Sequence, residues 1–314
     1  MDIWIILGAV LVAGVVFFSV RKGMQKAKQL QKTSRPKAEF TQDETLALNA
    51  VLQQTQLPCI KLTPVRRSVG VYDSKLGGLP YLPPGFAYPH NTDPHSDKKP
   101  LKLLAQINFA QLPHLEGYPA EGILQFFMAN EAKSDIYAID FDNPTVQSGW
   151  RVVYHKQLIM DESQLQVPPA LESGDEVLFP FDGEFALEAE SACQPISCSD
   201  FRWQDFLDAT IVSTEIYQSL KERMSDDDID DHLSELSCGF GFRIGGYPAF
   251  TQEDPRGYGE NTEHTMLLLQ LDSWSTDGDS GIMFGDSGVA NWFITPEALA
   301  QCDFSDVMYH WDCY

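Results

Sequence analysis

Hydrophobic positions divide the chain into three stretches of different character. The first is an uncharged run of 18 residues from Ile3 to Val20. As a helix it rises about 27 Å, close to the roughly 30 Å hydrocarbon core of a bilayer, and it predicts a transmembrane anchor with Trp4 at one interface. The second, RKGMQKAKQLQKTSRPK, holds seven of the chain's 22 basic residues. A cleaved signal peptide carries its positive charge before the apolar run and a small-residue site after it, and neither is present. The basic side faces the cytoplasm under the positive-inside rule. The expected layout is therefore an anchor over 1–20, a basic juxtamembrane stalk over 21–40 and a domain over 41–314. The anchor places the chain in the inner membrane as a single-pass protein with a cytoplasmic C-terminal domain.

Within the domain the apolar period alternates between that of helices and that of strands. Thr41-Gln-Asp-Glu44 reads as a capping box opening a helix to about Gln56, with Pro58 ending it. Strands are expected over Leu103–Phe109, Ile123–Ala129, Asp135–Phe141, Trp150–Ile159 and Gly183–Glu190. In the last of these Phe185, Leu187 and Ala189 face one way and Glu184, Glu188 and Glu190 the other. Ser199 or Asp200 is expected to cap a long helix to about Met224. The run Asp226-Asp-Asp-Ile-Asp-Asp then opens a short helix, where the dipole favours negative charge, and Gly239 ends it. Thr295-Pro-Glu starts a last short helix.

The most informative pattern is a duplication. GGLPYLPPGFAYP (Gly77–Pro89), LLAQINF (Leu103–Phe109) and GILQFFM (Gly122–Met128) form one copy. GGYPAFTQEDP (Gly245–Pro255), LLLQLDS (Leu267–Ser273) and GVANWFI (Gly288–Ile294) form the other, in the same order. The copies span about 74–130 and 243–302. They predict an α+β fold: two duplicated strand-rich halves forming one domain with a few helices, preceded by a single transmembrane helix. Gln106 and Gln270 are equivalent in the repeat. Each sits among apolar residues and must find partners when buried, the nearest being backbone groups of the Gly-Gly-x-Pro loops.

These blocks, with the C-terminal CDFSDVMYHWDCY, resemble the YwqG-like family from about Ser74 to Tyr314. That family is a domain of unknown function. The resemblance implies a duplicated α+β fold, no enzymatic activity and, from relatives near toxin and immunity genes, a protein-binding role. The anchor and stalk depart from most relatives.

The net charge is −23, and from Phe40 onward 15 basic residues face 43 acidic ones. Such a surface repels phosphate backbones, which excludes nucleic acid and points to a basic protein partner. The six cysteines show no CxxC spacing and are expected as free thiols in a reducing compartment. The chemistry-bearing sets are weak. Gly-Asp-Ser-Gly occurs at 278–281 and 285–288 without a general base in reach. Asp272, Asp277, Asp279 and Asp286 match no cation-loop spacing, and His90 with His95 lies in a proline-broken loop. His310, Asp312 and Cys313 sit at the chain end. No phosphate, dinucleotide or metalloprotease motif is present, so no cofactor is expected. The expectation is a non-catalytic binding module, immunity-like or scaffolding, with Gln106, Gln270, Asp254 and Asp286 as candidate ligand contacts between the halves. The alternative is an enzyme, or a small-ligand or metal-binding protein, using carboxylates such as Asp254, Asp279 and Asp286 at that junction.

Overall fold

The computed structural model describes residues 40–130, 136–171, 179–258, 261–275 and 281–314. The expected anchor over 3–20 and the stalk up to residue 39 lie outside them. Among the described residues no helix is long and apolar enough to cross a membrane. Phe40, placed in the stalk by sequence, packs on the domain: its ring stacks on His232 with centroids 3.8 Å apart. Helix α1 (Gln42–Leu52) follows. The Thr41 amide donates to Glu44 Oε2 and the Glu44 amide to Thr41 Oγ1, which is the reciprocal capping expected.

Ten strands form one curled antiparallel sheet: β1 (Leu57–Val65), β2 (Lys75–Gly77), β3 (Lys102–Asn108), β4 (Ile123–Met128), β5 (Trp150–His155), β6 (Glu184–Gln194), β7 (Phe242–Gly245), β8 (Met266–Asp272), β9 (Val289–Ile294) and β10 (Met308–Asp312). Their order is β10-β9-β8-β7-β1-β6-β2-β3-β4-β5. The duplication is thereby visible in space. β2 to β5 and β7 to β10 are equivalent meanders, and the leading strand of each half is exchanged: β1 pairs with β7, and β6 pairs with β2. Cys59 lies opposite Gly245 and Glu184 opposite Gly77, so these two residues are counterparts. Four residues further along each strand, Thr63 and Glu188 are paired directly, which puts the pseudo-twofold axis through that pair. Both halves even carry a register break at the same place, between Leu103 and Ala105 and between Leu267 and Leu269.

β1 is not anticipated from sequence because Pro58 and Pro64 stand in it. Proline cannot donate to a ladder and is normally confined to edges. β7 covers only Cys59–Leu62, so both prolines fall where β1 has a single neighbour. The Gly-Gly turns have a simple cause as well. Gly77 and Gly245 have φ of 64° and 71°, and a Cβ on Gly77 would sit 2.5 Å from the Gly183 carbonyl oxygen.

The sheet curls until its two halves meet. Phe126 of β4 packs edge-on against Trp292 of β9 at 5.3 Å, and Trp292 stacks on Tyr309 of β10 at 4.7 Å. Residues 136–148 close the seam between the outer strands: the Tyr309 amide donates to the Pro144 carbonyl and the Tyr309 hydroxyl to that of Tyr137. This segment corrects the strand expected over Asp135–Phe141. Its described part begins with a tight turn at Ile136–Ala138, where Tyr137 and Ala138 adopt left-handed φ of 52° and 57°, which breaks extended backbone. Tyr137 thereby packs its ring against Phe284 and Trp311.

The helices form a second cluster on α1, built on Leu48, Leu52, Ile211, Leu220, Ile229 and Leu233. The long helix expected up to Met224 is broken. It comprises α2 (Trp203–Phe206), a π-helical turn (Leu207–Ile211) and α3 (Glu215–Lys221). Thr214 interrupts it: its hydroxyl donates to the Ile211 carbonyl and accepts the Tyr217 amide, capping α3 afresh. Helix α4 (Asp226–Leu236) starts at Ser225 with Asp226, Asp227 and Asp228 in its first turn, as expected. Helix α5 (Pro296–Gln301) is capped by Thr295.

Candidate functional site

Gln106 and Gln270 occupy matching positions in separate halves and are fully buried. Gln106 Oε1 accepts the Tyr81 amide and the Gln125 side chain, both at 2.9 Å. Its Nε2 donates to the Val71 and Asp73 carbonyls at 2.8 and 2.9 Å. Gln270 Oε1 accepts the Ala249 amide at 2.7 Å, and its Nε2 donates to the Gly239 and Gly241 carbonyls. Beside each, a polar residue of the next strand reaches the same loop: Gln125 donates to the Tyr81 carbonyl and Asn291 to that of Ala249. These amides clamp the loops around the Gly-Gly turns onto the outer face of the sheet. The structure brings neither glutamine to the other, nor either to Asp254 or Asp286.

Asp254 is buried in an ionic cluster that sequence reading missed, although two Asp-x-Arg triplets announce it: Asp200-Phe-Arg202 and Asp254-Pro-Arg256. In each, the aspartate accepts the amide of its own arginine at 3.0 Å. Arg256, entirely buried, bonds Asp254 at 2.6 Å and Asp200 at 3.3 Å, and lies 4.1 Å over the Phe293 ring. Arg202 bonds Asp200 through two nitrogens at 2.7 and 2.8 Å. Burial pushes the Asp200 pKa up, but the Arg202 hydrogen bonds and the charges of Arg256 and Arg202 outweigh it and hold the carboxyl below its usual value. Breaking such a buried set leaves an uncompensated charge, so its role is cohesion.

Asp286 is exposed, in the turn entering β9, and Gly278-Asp279 lies outside the described residues. Asp312 aims its carboxylate at the Thr251 and Gln252 amides, at 3.0 and 2.7 Å. His90 Nδ1 sits 2.8 Å from the Tyr88 carbonyl. Among the described residues no three His, Cys, Asp or Glu side chains group as metal ligands, and the six cysteines are all free.

What the fold does assemble is an acidic hollow in the helical layer. The break around Thr214 opens a cavity of about 540 Å³ whose walls carry Asp208, Glu222, Asp226 and Asp230, with Tyr217 and Lys221 between them. Lys221 is engaged by Asp226 at 3.1 Å. Partial burial, followed by the charges of Asp226, Asp227 and Asp231, pushes the Asp230 carboxyl above its ordinary pKa. The Asp-rich start of α4 was legible in sequence; the hollow it lines depends on a helix break that was not.

A duplicated, swapped-strand antiparallel sheet with a helical layer on one flank defines the class of this domain. The chain belongs to the family described as Domain of unknown function (DUF1963), whose model matches residues 74–313. No curated protein matches the chain.

Proposed function

We propose that this protein is a membrane-tethered, non-catalytic binding module that engages a basic protein partner through the acidic hollow between α2, α3 and α4. The observation that carries the reading is the crowding of like charge there. Asp230 is disfavoured as a carboxylate by partial burial and then by the charges of Asp226, Asp227 and Asp231, and a cationic partner would relieve the second of these. The excess of 43 acidic over 15 basic residues from Phe40 onward would speed such an encounter. Tethering rests on the apolar run Ile3–Val20 and the basic stretch behind it, which favour an inner-membrane anchor with the domain in the cytoplasm. An immunity-like or scaffolding role fits the YwqG-like character of the repeated blocks.

The test uses the full-length chain in detergent with an oligolysine peptide as probe. Binding is expected at low ionic strength, to fall steeply as salt shortens the screening length, and to weaken in the Asp208→Asn/Asp226→Asn/Asp230→Asn variant. Equal binding by parent and variant overturns the site. A reporter fused after Tyr314 checks topology, and activity only outside the cytoplasm overturns the orientation.

A further inference from the structure

A second hollow lies on the opposite kind of chemistry, at the seam where β10 meets the segment 136–148. A cavity of about 340 Å³ is lined by Phe141, Tyr258, Trp311, His310, Glu253 and Asp312, among others. Phe141 and Tyr258 leave 71% and 77% of their surface in water, which is unusual for rings of this size. Trp311 is fixed: its Nε1 donates to the Ile136 carbonyl at 3.1 Å, and its ring meets Tyr137 edge-on at 4.8 Å. The Phe141 ring lies 6.0 Å from that of His310. Glu253 is exposed and holds the Tyr258 hydroxyl, whose pKa its charge and hydrogen bond push up. Asp312 is occupied by backbone amides, so Glu253 is the carboxylate open to a ligand.

Three aromatic side chains with two carboxylates, of which Glu253 is exposed, and no lysine or arginine among the described lining residues, make a surface for a cation. His310 does not supply positive charge at neutral pH, because burial pushes its pKa below the ordinary value against the pull of Asp312 and Asp254. A metal ion needs several hard oxygen ligands, and of the two lining carboxylates Asp312 already accepts the Thr251 and Gln252 amides. A bare ammonium is strongly hydrated and loses that shell against rings. A methylated ammonium spreads its charge over apolar methyl groups and suits aromatic faces. We propose that this hollow binds an alkylated ammonium group, its methyls against Phe141, Tyr258 and Trp311 and its charge shared with Glu253. This site is separate from the helical hollow and does not depend on it.

The test titrates the full-length chain, at about physiological ionic strength to suppress diffuse attraction, with tetramethylammonium, choline and Nε-trimethyllysine. Tryptophan fluorescence and calorimetry report binding, and 3,3-dimethylbutan-1-ol serves as the neutral isostere of choline. Saturable binding of the cations is expected, with the isostere about tenfold weaker or worse. Phe141→Ala and Tyr258→Ala, both at exposed rings, each weaken binding about fivefold. Glu253→Gln weakens it also, while Asp230→Asn leaves it unchanged. Tighter choline binding marks a small solute as the source of the group; tighter trimethyllysine binding marks a modified protein side chain. The proposal is overturned if no cation saturates, if the isostere binds equally, or if the ring variants bind as the parent does with unchanged melting temperatures.

Discussion

Replacing Gln106 by methionine keeps length and volume but removes four hydrogen bonds, two of them buried and two part-buried. The Tyr81 amide loses its acceptor, and the Val71 and Asp73 carbonyls lose their shared donor. A buried polar group left unpaired costs about 1–3 kcal/mol, carbonyls less because they hold two lone pairs. The gain from burying a thioether offsets part of this, leaving a net loss of about 2–5 kcal/mol, a large share of the roughly 5–15 kcal/mol typical of a folded domain. Gln270→Met removes the equivalent clamp and should cost a similar amount. The two residues share no partner, so the double variant should show nearly additive losses. Denaturant unfolding followed by tryptophan fluorescence measures all three. Losses under about 1 kcal/mol for both single variants refute the clamp, since paired amides in a dry layer cannot be removed so cheaply. A large loss for one variant and none for the other refutes the equivalence of the halves.

Other outcomes follow from single groups. Burial pushes Lys75 down to about 8 from its ordinary 10.5, so the native state sheds its proton before the unfolded chain does. Lys75 should therefore make stability rise with pH between about 8 and 10.5, and Lys75→Met should reduce that slope in pH-dependent melts. Asp230 has a raised native pKa, so its contribution is present at acid pH and lost as pH rises through that pKa; Asp230→Asn should raise the melting temperature at neutral pH. Thr41→Ala removes the α1 capping box and should cost about 0.5–2 kcal/mol in denaturant unfolding.

Much of the architecture could be read from the chain because duplication repeats each signal. The paired Gly-Gly turns, the glutamines of β3 and β8, the helix caps at Thr41 and Thr295 and the Asp-rich first turn of α4 all behave as their local chemistry dictates. Features that depend on distant partners were not legible. β1 hides behind Pro58 and Pro64, which only the short reach of β7 makes tolerable. The exchange of β1 and β6 has no local signature, because pairing across the axis uses the same residues that pairing within a half would. Tyr137 and Ala138 take left-handed backbone that their side chains alone would not suggest. Among the candidate contacts, Gln106 and Gln270 stand out as polar residues amid apolar sequence, and Asp254 and Asp286 as carboxylates at the expected junction of the halves. Burial spends the two glutamines and Asp254 on loop and ion bonds. The acidic and aromatic hollows arise instead from elements brought together by a helix break and by closure of the sheet.

Recruitment of a basic partner by the helical face is tested most directly in living cells. A photo-crosslinking amino acid at Gln218, which lines the acidic hollow, is compared with one at Val167, exposed and outside it. The account predicts a discrete adduct from Gln218 to a protein rich in lysine and arginine, none from Val167, and its loss in the Asp208→Asn/Asp226→Asn/Asp230→Asn background. Equal labelling from both positions, or an adduct that survives neutralisation of the three aspartates, contradicts it.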